Sequence, residues 1–312
     1  MNSLKISLLI PTMNRPDSLE DTLYSYMNSK MIPDQIIIVD QSSERETIQK
    51  NKNILNSFSN KTETVFVHLD KPSLTMARNV AIGLAKNEII ICSDDDINVM
   101  DDTLSNIFDI MSTKDVALIA GQDIYSKKRG GRLFGYLIGT RSFKKRKIGH
   151  VTRSLLGRYP FVENGKEIET EWAMGYFFAI RKSILVASKV IWDEKLRGYA
   201  FNEDLDFSFR YCKYSHSIGL RCILTNKVLV YHKVSKEYRV ESDKELLMYV
   251  SHRIYLCHKL GYGSMHSVKR TNRYMLLYFL LTKKNYAGMK KAIAIANEHI
   301  TEILEGNFNN VY

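Results

Sequence analysis

The first half of the chain alternates short apolar runs with stretches of helical periodicity, and this alternation constrains the fold more than any other feature. The apolar runs are residues 6–10, 35–39, 64–69, 88–92 and 116–120. Between the first two runs, Leu19, Leu23 and Met27 recur at a spacing of four, which places them on one face of a helix. Strand-like runs that alternate with amphipathic helices indicate a mostly parallel sheet with crossover helices.

The pattern changes in the second half of the chain. Residues 172–180 predict a strand, a short helix follows from about Lys182, a second helix begins near Asn202, and the apolar strand 228–231 ends at His232. Beyond about residue 234 the sequence becomes helical. We therefore predict an α/β domain with a mostly parallel central sheet over residues 1–233 and a C-terminal helical region over residues 234–312.

The cysteines and the apolar runs indicate in which cellular compartment the protein is expected. The four cysteines are widely spaced and form no C-x-x-C pair, so neither a zinc site nor a disulfide framework is indicated. The longest apolar run, residues 274–281, is far shorter than the roughly 20 residues of a membrane helix. The N-terminal apolar stretch is too short for a signal peptide. We expect a cytoplasmic protein that does not cross a bilayer.

The net charge of +11 arises in one segment. Residues 124–162 contain eleven Lys or Arg and no Asp or Glu, which leaves the rest of the chain balanced. Such a segment is either a solvated face or a mobile, glycine-containing loop that meets phosphates, and the sequence alone favours neither.

Polar side chains follow three of the predicted strands. In open α/β sheets ligands bind beyond the carboxyl ends of the strands, so these positions are candidates for a nucleotide site. They are Pro11, Thr12, Asn14 and Arg15 after the first strand, Asp40 after the second, and Asp94, Asp95 and Asp96 after the fourth.

The three consecutive aspartates place strong demands on their surroundings. Adjacent carboxylates repel one another unless a cation or hydrogen-bond donors lie nearby. Mg²⁺ or Mn²⁺ held by one or two carboxylates and substrate phosphates is the usual arrangement for diphosphate chemistry. The alternative is an acidic loop whose aspartates cap a following helix.

Over residues 6–232 the chain resembles the family 2 glycosyltransferases with the GT-A fold. The matching pieces are ISLLIPTMNRPDSLEDTL, IIIVDQSS, ARNVAIGLAKNEIIICSDDD, the segment around Gly175, and NEDLDFSFR. The resemblance implies that Asp40 hydrogen-bonds the nucleotide base, that Asp94 lies near the ribose, and that Asp96 ligates the metal. It also implies that Arg78 lies on the nucleotide side of the cleft, where a surface salt bridge is the alternative.

The resemblance assigns further residues to the sugar and acceptor side. Asp204 corresponds to the general base, with Glu203 and Asp206 as substitutes for it; acids at a helix N-terminus are also favourable without any catalytic role. Trp172 and Gly175 correspond to the lining of the donor-sugar and acceptor pocket, although a core tryptophan is the alternative. His232 corresponds to a metal ligand in some relatives, and otherwise to a surface histidine.

Two other functions fit parts of the sequence. A nucleotidyltransferase would carry a glycine-rich basic signature after its first strand, where this chain has none. A nucleic-acid-binding protein would explain the basic segment with its aromatic residues Phe134, Tyr136, Phe143 and Tyr159. Three aspartates at the predicted cleft argue against a polyanion there, so no nucleic-acid partner is expected.

The combined prediction is an inverting, metal-dependent glycosyltransferase of hexosyltransferase type. It would move a sugar from a UDP, TDP or GDP sugar to a hydroxyl of a glycan or lipid-linked acceptor, in surface polysaccharide assembly. The basic segment and residues 269–291 would allow peripheral contact with the inner face of the cell membrane. The alternative is that the Tyr and Leu cluster of residues 269–291 packs onto the main domain.

Overall fold

The structure is a computed structural model that describes residues 4–126, 135–136, 140–145, 147–163, 165–197, 200–233 and 242–312. Much of the basic segment, including Phe134, lies outside the described residues. Residues 234–241, which follow the predicted domain boundary, also lie outside them.

A nine-stranded sheet forms the centre of the described structure. Its strands are β1 (Ile6–Thr12), β2 (Gln35–Asp40), β3 (Glu63–His68), β4 (Ile89–Ser93), β5 (Ile97–Val99), β6 (Val116–Asp123), β9 (Glu167–Glu169), β10 (Phe177–Arg181) and β11 (Arg221–His232). A separate two-stranded sheet pairs β7 (His150–Val151) with β8 (Gly157–Arg158). The five strands predicted in the first half of the chain are all present.

The strand order is β3-β2-β1-β4-β10-β6-β11-β5, and β9 pairs with a different part of β11. Strands β3, β2, β1 and β4 are parallel neighbours, and β6 is parallel to β11. Strand β10 lies antiparallel between β4 and β6, so β4 and β6 point the same way. Six of the nine strands therefore have their carboxyl ends at one edge, where ligands bind in sheets of this kind.

Helices cover both faces of the sheet. Described in chain order, they are α1 (Pro16–Met27), α2 (Arg45–Asn56), α3 (Leu74–Leu84), α4 (Thr103–Ser112), α5 (Lys182–Ser188), α6 (Glu203–Ser217), α7 (Ser242–Lys259), α8 (Met265–Leu281), α9 (Tyr286–Glu298) and α10 (Ile300–Glu305). Helices α1, α2 and α4 share one apolar cluster with the sheet, and α3, α5 and α6 share the other. Strands covered on both faces read as continuous apolar runs, which is why the sequence revealed them.

Local sequence sets several helix starts. Pro16 occupies the first turn of α1, where its missing N–H is not needed. Ser73 caps α3 by accepting a hydrogen bond from the Met76 N–H (3.4 Å), and Asn285 caps α9 through the Gly288 N–H (2.9 Å).

The predicted strand over residues 172–180 is wrong in its first half. Only Phe177–Arg181 is a strand, and the preceding residues form a turn. In that turn the Gly175 N–H and carbonyl bond to side chains of Asp204 and Arg78 instead of to a neighbouring strand. Backbone groups satisfied in this way have no need of a sheet ladder. The apolar side chains of this segment gave no indication of the difference.

The C-terminal helices pack onto the α/β domain. A third apolar cluster joins Leu205 and Phe209 of α6 to Leu247 and Ile254 of α7 and to Met289 of α9. The inner side of α8 belongs to the same cluster. This is the arrangement expected if residues 269–291 pack onto the main domain. None of the described helices is both long and apolar enough to span a membrane.

Candidate active site

The predicted site residues lie at the edge of the sheet where parallel strands end. The last residues of these strands are Thr12 of β1, Asp40 of β2, Ser93 of β4 and His232 of β11. The turn before β10 and the start of α6 meet at the same edge, since the Gly175 N–H donates to Asp204 and Arg78 donates to both the Gly175 carbonyl and Asp94.

Asp94, Asp96 and His232 form a cluster that suits a divalent metal. Each offers a ligand atom, and these atoms lie within 4.8 Å of one another. His232 Nε2 is 3.3 Å from Asp96 Oδ1, and the His232 ring stacks on Tyr176 with centroids 4.9 Å apart. Two carboxylates and an imidazole are a donor set that Mn²⁺ accepts readily, while Mg²⁺ prefers the oxygens.

The charges of this cluster influence one another. Burial alone would lower the pKa of His232, but its hydrogen bond to Asp96 raises the pKa overall. Burial also raises the pKa of Asp94, an effect that the Arg78 guanidinium partly opposes. A cation at the centre of the cluster would favour the ionised carboxylates and the neutral imidazole that can ligate it.

Asp95 turns away from the cluster into a network of its own. Its carboxylate accepts a hydrogen bond from Thr12 Oγ1 (2.7 Å) and forms a salt bridge with Arg15. Its main-chain carbonyl accepts hydrogen bonds from Ser18 and Thr22, both at 2.8 Å. Burial raises the pKa of Asp95 to about 7, although Arg15 and Thr12 favour its ionised form. The contact of Thr12, Arg15 and Asp95 with a nucleotide stays a prediction.

Asp40 is fully buried at the end of β2, among polar partners. Its Oδ1 accepts from Ser42 Oγ (2.6 Å) and Asn51 Nδ2 (2.9 Å), while Oδ2 lies 3.1 Å from His68 Nδ1. Asn14 joins this group, since its N–H donates to Ser42 Oγ at 2.9 Å. A carboxylate oxygen has two lone pairs, so Oδ2 retains capacity for another donor. Base recognition by Asp40 stays a prediction, as does the contact of the buried Pro11 with a nucleotide.

Arg78 links the two acidic groups of the site. Its guanidinium forms a salt bridge with Glu203 and donates to Asp94 Oδ1 (2.9 Å) and to the Gly175 carbonyl (3.0 Å). The guanidinium also lies over the ring of Trp192, 5.7 Å from its centroid. Burial opposes the charge of Arg78, yet the carboxylates of Glu203 and Asp94 raise its pKa. The resemblance implies that Arg78 lies on the nucleotide side of the cleft; in the structure Arg78 is a buried connection between Asp94 and Glu203.

The three acids at the start of α6 have different surroundings. Glu203 is buried against Arg78, and burial raises its pKa to about 7 although Arg78 opposes the shift. Asp206 is fully buried and pairs with Arg210 (2.6 Å) and Lys259 (2.8 Å). Asp204 is half-buried, and burial raises its pKa although the N–H groups of Gly175 and Leu205 oppose the shift. Of the three, Asp204 is the least buried, and it forms no salt bridge with a cation among the described residues.

Close packing leaves little room for a side chain at position 175. A Cβ there would lie 3.0 Å from Asp204 Cβ, 3.1 Å from Glu203 Oε1 and 3.2 Å from an Arg78 nitrogen. We expect Gly175→Ala to push Asp204 out of position and to lower kcat/KM by about 10-fold or more, with little change in thermal stability. Steady-state kinetics and thermal unfolding measure the two effects. Gly83→Ala is the matched control, because nothing lies within 4 Å of its added Cβ. Equal activity of both variants would contradict this view of Gly175.

Trp172 lies mainly in the protein core. It is 6% exposed, and its ring packs against Tyr159 with centroids 4.7 Å apart. Its indole N–H points to the Arg158 carbonyl at 3.4 Å. This is the environment of the core alternative, and contact of Trp172 with a sugar stays a prediction.

Two residues of the site were not found from the sequence. Tyr176 stacks on His232, and Lys259 of α7 binds both Asp206 and Asp193 (2.7 Å). A lysine at the end of a helix gives no sign of its partner 53 residues earlier in the chain. The available signal was the acids themselves, because three carboxylates at one helix start require nearby cations.

This fold and site define a class of protein. A mostly parallel sheet with a metal-competent acidic cluster beyond its strand ends, and a second acidic group at a facing helix start, is the arrangement of nucleotide-sugar glycosyltransferases. Residues 7–185 match the sequence profile described as Glycosyl transferase family 2. The chain therefore belongs to glycosyl transferase family 2, and the predicted enzyme class is confirmed.

Solved structures with similar folds agree with this assignment. The mannosyltransferase PcManGT from Pyrobaculum calidifontis, in complex with GDP-Man and Mn²⁺, matches 96% of this chain and 76% of its own at a TM-score of 0.55 and 15% identity. GalNAc-T7 with UDP, GalNAc and Mn²⁺ matches 95% of this chain and 57% of its own, at a TM-score of 0.59 and 15% identity. TarS from S. aureus matches 88% of this chain and 44% of its own, at a TM-score of 0.53 and 16% identity. No curated protein sequence gives a match. The predicted GT-A type fold is confirmed.

Proposed function

We propose that the protein is an inverting glycosyltransferase that moves a sugar from a UDP, TDP or GDP sugar to a hydroxyl of a glycan or lipid-linked acceptor. The observation that carries this proposal is the placement of Asp204, a half-buried carboxylate that Gly175 and Arg78 connect to Asp94 of a cluster able to hold a metal. Inversion by in-line attack needs a base on one side of the anomeric carbon and a neutralised leaving group on the other. The two acidic groups supply these two functions.

Asp94, Asp96 and His232 would hold Mn²⁺ or Mg²⁺. When bound, the ion supplies positive charge to the diphosphate leaving group. The donor set includes an imidazole, and PcManGT and GalNAc-T7 are both described with Mn²⁺, which favours manganese over magnesium. Asp94 joins the ligand set that the sequence predicted, Asp96 and His232, because its carboxylate reaches the same cluster.

Asp204 would remove the proton of the attacking hydroxyl. Its raised pKa brings it closer to that of a working base, and the Gly175 N–H holds one of its oxygens. Glu203, fixed by Arg78, and Asp206, fixed by Lys259 and Arg210, keep the helix start in place. Gly175 and Glu203 border the donor sugar in this proposal.

The nucleotide would lie over the ends of β1 and β2, with Asp40 facing the base. The similar structures carry guanine and uracil nucleotides, so fold likeness does not select one base. We further propose that the acceptor belongs to surface polysaccharide or glycolipid assembly, at the cytoplasmic face of the membrane. The division into a catalytic domain, residues 1–233, and a helical region, residues 234–312, is part of the same proposal.

Calorimetric titration tests the donor site. We expect one of UDP, TDP and GDP to bind in the presence of Mn²⁺ and to bind about tenfold or more weakly without it. Asp96→Ala should lose the metal-dependent part of the binding. Asp109→Ala, an exposed acid on α4, is the matched control and should bind as the parent protein does.

The opposite result has a specific meaning. Absence of binding by all three nucleotides, together with salt-sensitive binding of random-sequence oligonucleotides, would replace this proposal with a nucleic-acid-binding function.

A further inference from the structure

Two stretches of the chain contain many cations and no acids. Residues 124–162 hold eleven Lys or Arg, and residues 246–297 hold nine more, seven of which are exposed while Arg253 is buried and Lys259 is paired with Asp193 and Asp206. Together they carry 20 of the 45 basic residues and none of the 34 acidic ones, so the rest of the chain is net acidic. A charge distribution this uneven creates a local positive field that attracts anionic surfaces.

The two stretches touch each other. The Ser264 N–H donates to the Arg153 carbonyl (2.9 Å), and the Tyr262 hydroxyl donates to the Val151 carbonyl (2.8 Å). The Lys145 ammonium lies 5.7 Å from the centroid of the Tyr262 ring. The described part of the basic segment therefore adjoins the loop before α8 and the start of that helix.

The outer side of α8 changes character along its length. Its first turns expose three cations and its last turns expose three leucines. The cations are Lys269, Arg270 and Arg273, and the leucines are Leu277, Leu280 and Leu281, which are 45%, 54% and 73% exposed. The opposite side, with Val268 and Thr271, is buried against the other helices. Single exposed leucines are common, but three together at one end of a helix form an apolar patch.

Lysines border this apolar patch. Lys283 and Lys284 follow α8 directly, and the Lys284 ammonium lies 5.2 Å from the Tyr278 ring centroid. An ammonium at the rim of an aromatic and apolar surface is the arrangement by which lysine keeps its charge in the headgroup layer while its stem contacts hydrocarbon. Leucines surrounded by cations are typical of helices that lie in a membrane interface.

We propose that α8 docks the protein on a bilayer with anionic headgroups. Leu277, Leu280 and Leu281 enter the interface, and the cations of the first turns contact lipid phosphates. A nucleic acid would bind the cations equally well but would gain nothing from the leucines, so the apolar patch decides in favour of lipid. Docking would bring the active site to a lipid-linked acceptor. In this respect the inference rests on the proposed function.

Vesicle flotation with the full chain tests the docking. We expect the protein to float with phosphatidylcholine vesicles that contain about one third phosphatidylglycerol, and to bind at least about tenfold more weakly to phosphatidylcholine alone. Raising the salt concentration should weaken the binding, because ions screen exposed charges.

Two triple variants separate the apolar from the electrostatic contribution. Leu277→Ser with Leu280→Ser and Leu281→Ser should weaken binding by about tenfold or more, since these changes remove the buried apolar area. Lys269→Gln with Arg270→Gln and Arg273→Gln should weaken it by about 100-fold. The control for the leucine variant is Val186→Ser with Ile191→Ser and Ile218→Ser. The control for the cation variant is Lys52→Gln with Lys61→Gln and Lys213→Gln. All six positions are exposed. Both controls should bind like the parent protein.

Several outcomes would overturn the docking. They are a parent protein that stays in the soluble fraction, equal binding to both vesicle types, and a leucine variant that binds like the parent. Binding of random-sequence DNA without vesicle binding would assign the cations to nucleic acid. Nucleotide titration of the same variants keeps the two proposals apart, because loss of docking with intact nucleotide binding leaves the proposed enzyme unaffected.

Discussion

Asp204→Asn is expected to lower kcat for sugar transfer by about 100- to 10,000-fold, the range that loss of a general base produces. The amide keeps the size of the side chain and can still accept from the Gly175 N–H, so the fold and the donor site should stay intact. Nucleotide affinity measured by calorimetry should change less than about threefold, because the lost interaction arises only when the acceptor is deprotonated.

Asp206→Asn is the informative comparison for this prediction. Asp206 lies on the same helix, but it is fully buried and paired with Lys259 and Arg210. Its replacement should lower thermal stability and leave most of kcat in place. If Asp206→Asn abolished turnover and Asp204→Asn did not, the base would have to be reassigned.

Arg78→Met is expected to destabilise the fold by about 3–5 kcal/mol at neutral pH. The variant would leave Glu203 and Asp94 close together without the guanidinium that now lies between them. The loss should shrink as the pH falls below about 3, under the ordinary pKa values of about 3.9 for Asp and 4.3 for Glu, where both carboxyls are protonated in the folded and unfolded states alike. Chemical denaturation over this pH range measures the effect.

A second change tests the cause of the destabilisation. In the double variant Arg78→Met with Glu203→Gln, no buried glutamate remains to be ionised, so part of the lost stability should return. Asn79→Ala is a neighbouring control, since Asn79 bonds to the Trp192 backbone and to Glu194 but carries no charge. A loss of stability that is the same at every pH, and that Glu203→Gln does not relieve, would show that packing and not charge is responsible.

The sequence predicts a strand well when burial of that strand alone produces a recognisable run of apolar residues. Strands β1, β2 and β4 are buried on both faces, so their apolar runs mark them directly. The position of β10 between β4 and β6 could not be predicted in this way, because strand order depends on pairing between distant segments. The antiparallel strands β5 and β9 are only three residues long and give no recognisable period.

The same distinction applies to the candidate site: residues next to recognisable elements could be predicted, and contacts between distant segments could not. Asp94, Asp96 and Asp204 follow or precede recognisable elements, and the sequence selects them. That Asp95 turns inward to Thr12 and Arg15, while its two neighbours face His232, depends on side-chain contacts that no spacing reveals. The sequence also singled out Arg78 as a site residue. Its position between Asp94 and Glu203 could not be predicted, because Glu203 lies 125 residues later in the chain.

Lys259 ties the C-terminal helices to the start of α6, where the proposed base Asp204 lies. It extends from α7 to Asp193 and Asp206, and Asp206 lies one half-turn from Asp204 on α6. A foreign helical region grafted after residue 233 would leave Asp206 with Arg210 as its remaining cation among the described partners. The C-terminal helical region therefore cannot be exchanged between relatives as an independent unit; recombination must carry the matching lysine, or a different residue at position 206, across the junction.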